Sequence, residues 1–171
     1  MCRVFIVAVM GLPGSGKSGL AERLAQYTGA LHISSDRIRW QEHLNGRYEP
    51  EAMDYVYERM IALATEAVAE GKSVIMDASF SKEKHRDRLW EMIRLKKVLL
   101  CWAELITDEK TARERTSRLR PFTEAGFDVF LKMKSEWEPP LFPHLKLDSG
   151  LHTTDELATF VLKHLQEKLH A

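Results

Sequence analysis

The apolar run RVFIVAV, Arg3–Val9, opens directly into GLPGSGKS, Gly11–Ser18, and this junction restricts the fold more than any other stretch of the chain. A buried strand, a glycine-rich turn and a helix start follow one another without a spacer. Gly11, Gly16, Lys17 and Ser18 satisfy the pattern G-x-x-x-x-G-K-[ST] in its proper setting. Glycines let the backbone turn so that successive N–H groups point at phosphate oxygens. The helix N-terminus adds a partial positive charge. The pattern predicts that Gly11, Pro13, Gly14, Ser15, Gly16, Lys17 and Ser18 contact a nucleotide, with Lys17 on the outer phosphates and the Ser18 hydroxyl on magnesium. The expected ligand is a nucleoside triphosphate, ATP first, with Mg2+.

At 171 residues the chain is expected to form one domain, 1–171, with a single full core. Lysine plus arginine equal aspartate plus glutamate at 25 each, which gives no support to a general nucleic-acid or membrane surface. Cys2 and Cys101 lie in apolar strand-like runs and read as buried free thiols in a reducing compartment. The seven histidines show no metal-ligand spacing. The apolar start lacks a cleavage-site pattern and runs into the glycine loop, so it does not read as a signal peptide. No stretch is long enough to span a membrane. A cytoplasmic protein is expected.

Strand-like runs alternate with amphipathic helical ones. Strands are expected at Arg3–Val9, Ala30–Ser34, Ser73–Asp77, Lys97–Leu105 and His144–Asp148. Helices are expected near Lys17–Thr28, residues 35–43, Glu51–Glu70, Lys82–Arg94, 108–119 and 124–137. A last helix follows the capping-box pair Thr153 and Glu156, with Leu157, Phe160, Val161 and Leu165 inward. Met53, Val56, Tyr57, Met60, Ala64 and Ala67 fall on one face of the long third helix. The alternation predicts an α/β fold: three layers, about five parallel strands, helices on both faces, and a small helical lid bearing arginines at about 108–137.

In an open parallel sheet, ligands sit beyond the carboxyl ends of the strands. VIMD places Asp77 at a strand tip, where a carboxylate can hold the water shell of magnesium or simply end a strand. HISSDRIR places Asp36 past the second strand with Arg39 three residues on, so the two share a helix face. Asp36 can take a proton from an attacking hydroxyl, and Ser34, Ser35 or Asp36 can cap the helix. TARERTSRLRP, Thr111–Pro121, carries Arg113, Arg115, Arg118 and Arg120. On a helix, Arg115 and Arg118 share a face that can close over a transferring phosphoryl group. Lys82–Arg88 mixes both signs and reads as a solvated helix face, with contact to an acidic acceptor as the alternative. Trp40, Trp90 and Trp137 read as core or cleft wall.

GLPGSGKS, SSDRIR, VIMDASF, the arginine-rich segment and EWEP (Glu136–Pro139), in this order, resemble small P-loop kinases. The group comprises polynucleotide kinases, gluconate kinases, chloramphenicol phosphotransferases and zeta toxins, with the predicted-kinase ATP-binding modules nearest. The likeness covers about residues 3–140. It implies a phosphotransferase with the P-loop NTPase fold. It implies Asp36 as base, Arg39 facing the substrate or its phosphate, Ser79 as a substrate contact, Asp77 on the magnesium side and Arg118 as the lid arginine. Arg115 is carried as a nucleotide contact, although Arg113 and Arg115 both remain open as the second lid arginine, because Glu114 stands four before Arg118. Where polynucleotide kinases often carry D-N-T-N, this chain has Asp77, Ala78, Ser79 and Phe80, and the lost amides argue against a nucleic-acid acceptor.

The expectation is an ATP-dependent kinase acting on a small-molecule hydroxyl, with Asp36, Lys17 and Arg118 as its catalytic groups. The alternatives are a 5′-hydroxyl polynucleotide kinase and a nucleotide-binding regulatory module without a diffusible acceptor.

Overall fold

The computed structural model describes residues 4–96, 98–123 and 125–170. The readings made for Cys2, Arg3 and Lys97 lie outside the described residues. The strands are β1 (Phe5–Met10), β2 (Leu31–Ser34), β3 (Val74–Asp77), β4 (Leu99–Ile106) and β5 (Leu145–Asp148). The helices are α1 (Lys17–Thr28), α2 (Ser35–Gln41), α3 (Pro50–Ala69), α4 (Glu83–Lys96), α5 (Glu109–Thr116), α6 (Phe127–Ser135) and α7 (Thr154–His170).

The five strands form one sheet in the order β2-β3-β1-β4-β5. Every pairing is parallel, with Val9 opposite Asp77 on one side and Ala103 on the other. Alternation along β1 divides the core. Ile6, Ala8 and Met10 join the α3 and α4 face through Val56, Met60 and Leu89. Val7 and Val9 join the α1 and α7 face through Leu20, Leu24 and Val161. This is the expected three-layer α/β architecture, and all strand tips meet one rim. No helix among the described residues is long and apolar enough to cross a membrane.

The core carries a direct stability test. Leu24 is fully buried on the α1 face. Leu24→Ala removes that packing and leaves a cavity, an expected loss of about 2–5 kcal/mol. Urea unfolding should show a lower midpoint at an unchanged slope.

Several local expectations need correction. Phe160 is 41% exposed and sits edge-on to His152, whereas Leu157, Val161 and Leu165 are buried as expected. Trp40 and Trp90 are 51% and 38% exposed, so neither is core. The stretch Lys82–Arg88 is not simply a solvated face. His85 and Arg86 are buried, His85 stacked on the Tyr57 ring at 3.9 Å and Arg86 donating to the Phe80 carbonyl at 2.7 Å. The arginine segment is also shorter as a helix than expected. α5 stops at Thr116, whose hydroxyl donates back to the Ala112 carbonyl at 2.8 Å, as the Ser117 hydroxyl does to Glu114. Arg118 and Arg120 therefore follow the helix and do not share a helical face with Arg115.

Candidate active site

β1 ends in the loop Gly11–Gly16, and the loop ends in α1. Gly11 has φ +150°, and a Cβ there would meet the Leu105 carbonyl oxygen at 2.5 Å. Gly14, at φ +78°, lies so close to α5 that a Cβ would stand 3.0 Å from the Ala112 carbonyl oxygen. Glycine is thus required by conformation and by space at both points. Lys17 Nζ donates to the Leu12 carbonyl across the loop at 3.0 Å. Burial pushes the Lys17 ammonium pKa down, Asp77 and Asp36 pull it back up, and Arg120 adds to the depression. Gly14, Gly16, Lys17 and Ser18 line a cleft of about 670 Å3 together with Pro13. The side chain of Ser15 is turned the other way. It is buried, its hydroxyl oxygen has no hydrogen-bond partner, and it lines a smaller cavity of about 210 Å3 with Gly11.

The strand order sorts the cleft into two ends. β2 and β3 lie on one side of β1, and the segments after them bring Asp36, Arg39 and Ser79 to the cleft. The Ser34 hydroxyl caps α2 by accepting from the Arg37 N–H at 3.4 Å. That leaves the next carboxylate, Asp36, free of the capping role. Arg39 Nη1 donates to Asp36 Oδ1 at 2.9 Å, the i,i+3 pairing expected on this turn. Burial raises the Asp36 pKa, and the Arg39 and Lys17 charges oppose that rise. The nearby Thr123 side chain of the lid also favours the charged form of Asp36. Asp77 is buried at the tip of β3, with its Oδ2 3.4 Å from His32 Nε2 and without a hydrogen-bond partner.

β4 and β5 supply the other end. Arg115 donates to the Gly14 carbonyl at 3.2 Å, to the Ser149 hydroxyl at 2.8 Å and to the Ser149 carbonyl at 2.9 Å. It joins the lid, the glycine loop and the turn after β5. Arg113 instead stacks on Phe127, 3.9 Å from the ring centre. Between the two arginines left open by the sequence, Arg115 is the one on the cleft. Arg118 is exposed on the cleft edge, and Arg120 lines the cleft with its charge felt at Lys17. Charged donors of this kind contribute about 1.5–3 kcal/mol each. Arg115→Ala should therefore weaken ATP binding roughly tenfold or more by equilibrium titration.

Sequence reasoning missed Thr123, His32 and the Tyr57 hydroxyl, and it named Arg120 in the arginine segment without giving it a role of its own. Tyr57 was legible only as a core position, yet its hydroxyl accepts from the Phe80 N–H at 2.7 Å and lies 3.1 Å from the Ser79 hydroxyl. EWEP was legible as a motif but not in its task. Glu138 accepts from the Glu83 N–H at 2.6 Å and pairs with Lys82 at 3.3 Å, which fixes the end of the lid to the segment after β3.

The residues fit a magnesium nucleotide. The loop offers a positively biased concavity, a lysine and the exposed Ser18 hydroxyl. Asp77 does not line the cleft itself, but it is buried at the β3 tip, its charge acts on Lys17, and its Oδ2 has no hydrogen-bond partner. Among the described residues no group of three or more His, Cys, Asp and Glu gathers as a metal cluster. Magnesium here would rely on Ser18, phosphate oxygens and water held by Asp77, its usual habit beside phosphates.

No curated protein matches the chain in sequence. Among solved structures, a sugar kinase from Janibacter sp. is similar at 21% identity and TM-score 0.75, over 96% of this chain and 95% of that one. The APS kinase CysC of Mycobacterium tuberculosis, solved with AMPPNP and APS, is similar at 22% identity and TM-score 0.74, over 96% and 98%. A gluconokinase from Sinorhizobium meliloti gives 22% and 0.71, over 98% and 97%. At these identities the likeness establishes the fold, and each neighbour spans nearly the whole chain. A family model described as an AAA domain matches residues 6–140, from β1 to the end of the EWEP segment. The chain belongs to this AAA domain family, and its fold is the one these kinases share.

Proposed function

We propose that this chain transfers the γ-phosphoryl group of ATP to a hydroxyl of a small molecule, with Asp36 as general base. One observation carries the reading. A carboxylate whose proton affinity is raised by burial and whose direction is set by Arg39 stands on the same cleft as Lys17. A base of this kind suits a step in which a hydroxyl must lose its proton as it attacks.

ATP with Mg2+ supplies the phosphoryl group. The glycine loop and Lys17 hold its phosphates, Ser18 and Asp77 serve the metal, and Arg115 closes the nucleotide end. Arg118 and Arg120 supply positive charge where negative charge spreads in transfer. Asp36 receives the acceptor proton. The acceptor oxygen bonds to the γ-phosphorus, the bond from that phosphorus to the bridging oxygen breaks, and ADP leaves with the electron pair. Lid residues 117–123 help to exclude water from this step.

A pH profile follows from the raised Asp36 pKa. Only the carboxylate form accepts a proton, so kcat/KM should fall as pH drops through that pKa. The acid limb should lie above the ordinary aspartate value of 3.8 and disappear in Asp36→Asn. The direct test uses γ-labelled ATP with Mg2+, offered a small-metabolite extract and, separately, a 5′-hydroxyl oligonucleotide. Label should enter a small product in the wild type. Label on the oligonucleotide would replace the small-molecule reading with a polynucleotide kinase. Tight ATP binding with no label on either would favour a nucleotide-dependent regulatory module.

A further inference from the structure

Resting on the phosphotransfer reading, we propose that the acceptor is an uncharged alcohol with an aromatic or similarly flat apolar body, held between Tyr48, Met53, Tyr57 and the lid residue Phe122. A sugar acid or a phosphate ester does not fit this end of the cleft.

Charge is the first reason. The cations at the acceptor end are already matched. Arg39 pairs with Asp36 at 2.9 Å, and Arg37 with Glu22 at 3.6 Å. Arg39 is itself buried. Its Nη2 lies 3.4 Å from the Met53 sulfur, and its guanidinium stands 4.6 Å from the centre of the Tyr48 ring. Its charge is therefore committed to orienting Asp36. The remaining cleft cations, Lys17, Arg115, Arg118 and Arg120, stand with the phosphate loop and lid. An anionic acceptor would compete with Asp36 for Arg39. It would also lie against a carboxylate that must stay negative to take the proton, and like charges at such range repel.

The wall is the second reason. Tyr48, Met53, Tyr57, Phe122 and Met133 all line the cleft. Phe122 is held by an edge contact with Trp40, ring centres 6.1 Å apart, and by Arg37 over its ring at 5.5 Å. Tyr57 is braced from behind by the stacked His85, which Asp54 holds at 2.7 Å. Flat rings and thioethers offer dispersion and edge-to-face contact, the chemistry that retains an aromatic or planar body.

Polar recognition falls to the Ser79 hydroxyl, which lines the cleft. It lies 3.1 Å from the Tyr57 hydroxyl, a pair in which either oxygen can donate, while Tyr57 also accepts from the Phe80 N–H at 2.7 Å. An acceptor with an oxygen near its reacting hydroxyl can pair with Ser79.

The test separates this inference from the kinase reading beneath it. A metabolite extract is divided on an anion exchanger at neutral pH, and the unretained part is divided again on a reversed-phase column. Each pool is incubated with γ-labelled ATP, Mg2+ and either wild type or Asp36→Asn. The unretained pool that binds the reversed-phase column should give at least tenfold more Asp36-dependent labelled product than the others. Product mainly from the anionic pool, or from the unretained pool that passes through reversed phase, would overturn the acceptor class and leave the kinase reading intact. No Asp36-dependent product from any pool would overturn both. With the active pool as substrate, Tyr48→Ala should raise the apparent KM for that pool at least tenfold while leaving the KM for ATP unchanged, and Tyr48→Phe should retain the wild-type value. An unchanged acceptor KM in a folded Tyr48→Ala protein would overturn the proposed wall.

Discussion

Asp36→Asn is expected to lower phosphoryl transfer by roughly 10²–10⁴-fold, the usual contribution of a positioned base, while ATP binds as in the wild type. Asparagine keeps the shape and still offers Arg39 an oxygen to hydrogen-bond, so the 2.9 Å contact has a substitute. What is lost is the ability to take a proton. Asp36 lies on α2, off the phosphate loop, and this predicts a split between the two measurements. Isothermal titration of ATP and a transfer assay on the same preparation read it directly. Equal loss of binding and transfer would mean that Asp36 supports the nucleotide and does not act on the acceptor.

Gly11→Ala should be the more damaging change for the nucleotide. The residue sits at φ +150°, and its new methyl would stand 2.5 Å from the Leu105 carbonyl oxygen and 2.7 Å from the Ser15 hydroxyl. The first of these is backbone of the neighbouring strand β4 and cannot swing aside. Strain of this kind costs on the order of 1–3 kcal/mol, and the loop must shift to relieve it. Gly11 N–H also donates to the Ser79 carbonyl at 3.2 Å, so the shift reaches the acceptor side. A displacement of about 1 Å at a reacting centre can cost about 10²-fold. Both ATP affinity and melting temperature should fall. Wild-type ATP affinity in Gly11→Ala would show that the loop tolerates the methyl and that its close fit to β4 is unimportant.

What could be read from sequence follows physical lines. The buried strands, α1, the α3 face and the capping box of α7 were legible because each is set by local pattern. The Thr153 hydroxyl accepts from the Glu156 N–H, and Glu156 returns the bond to the Thr153 N–H, as the four residues alone predict. Gly11 through Ser18 and Asp36 were legible because a motif and a strand tip place them. Arg86 and His85 were not. A charged helix looks solvated from sequence, and only the fold brings the Phe80 carbonyl and the Tyr57 ring to bury them. The end of α5 was missed because Thr116 and Ser117 compete with the helix through their own hydroxyls. Thr123 lies 87 positions from Asp36, and nothing local tells that a lid threonine will reach that carboxylate. The division of the cleft into a nucleotide end and an acceptor end depends on the strand order, which alternation alone does not specify.

The most direct test of phosphotransfer follows the oxygen atoms. ATP labelled with oxygen-18 on its γ-phosphate is incubated with the protein, Mg2+ and a small-metabolite extract, and the mixture is read by mass spectrometry. The account predicts a new phosphate monoester whose three non-bridging oxygens carry the label and whose ester oxygen does not, formed by the wild type and nearly absent with Asp36→Asn. Labelled inorganic phosphate as the sole product, equal in both proteins, would contradict it.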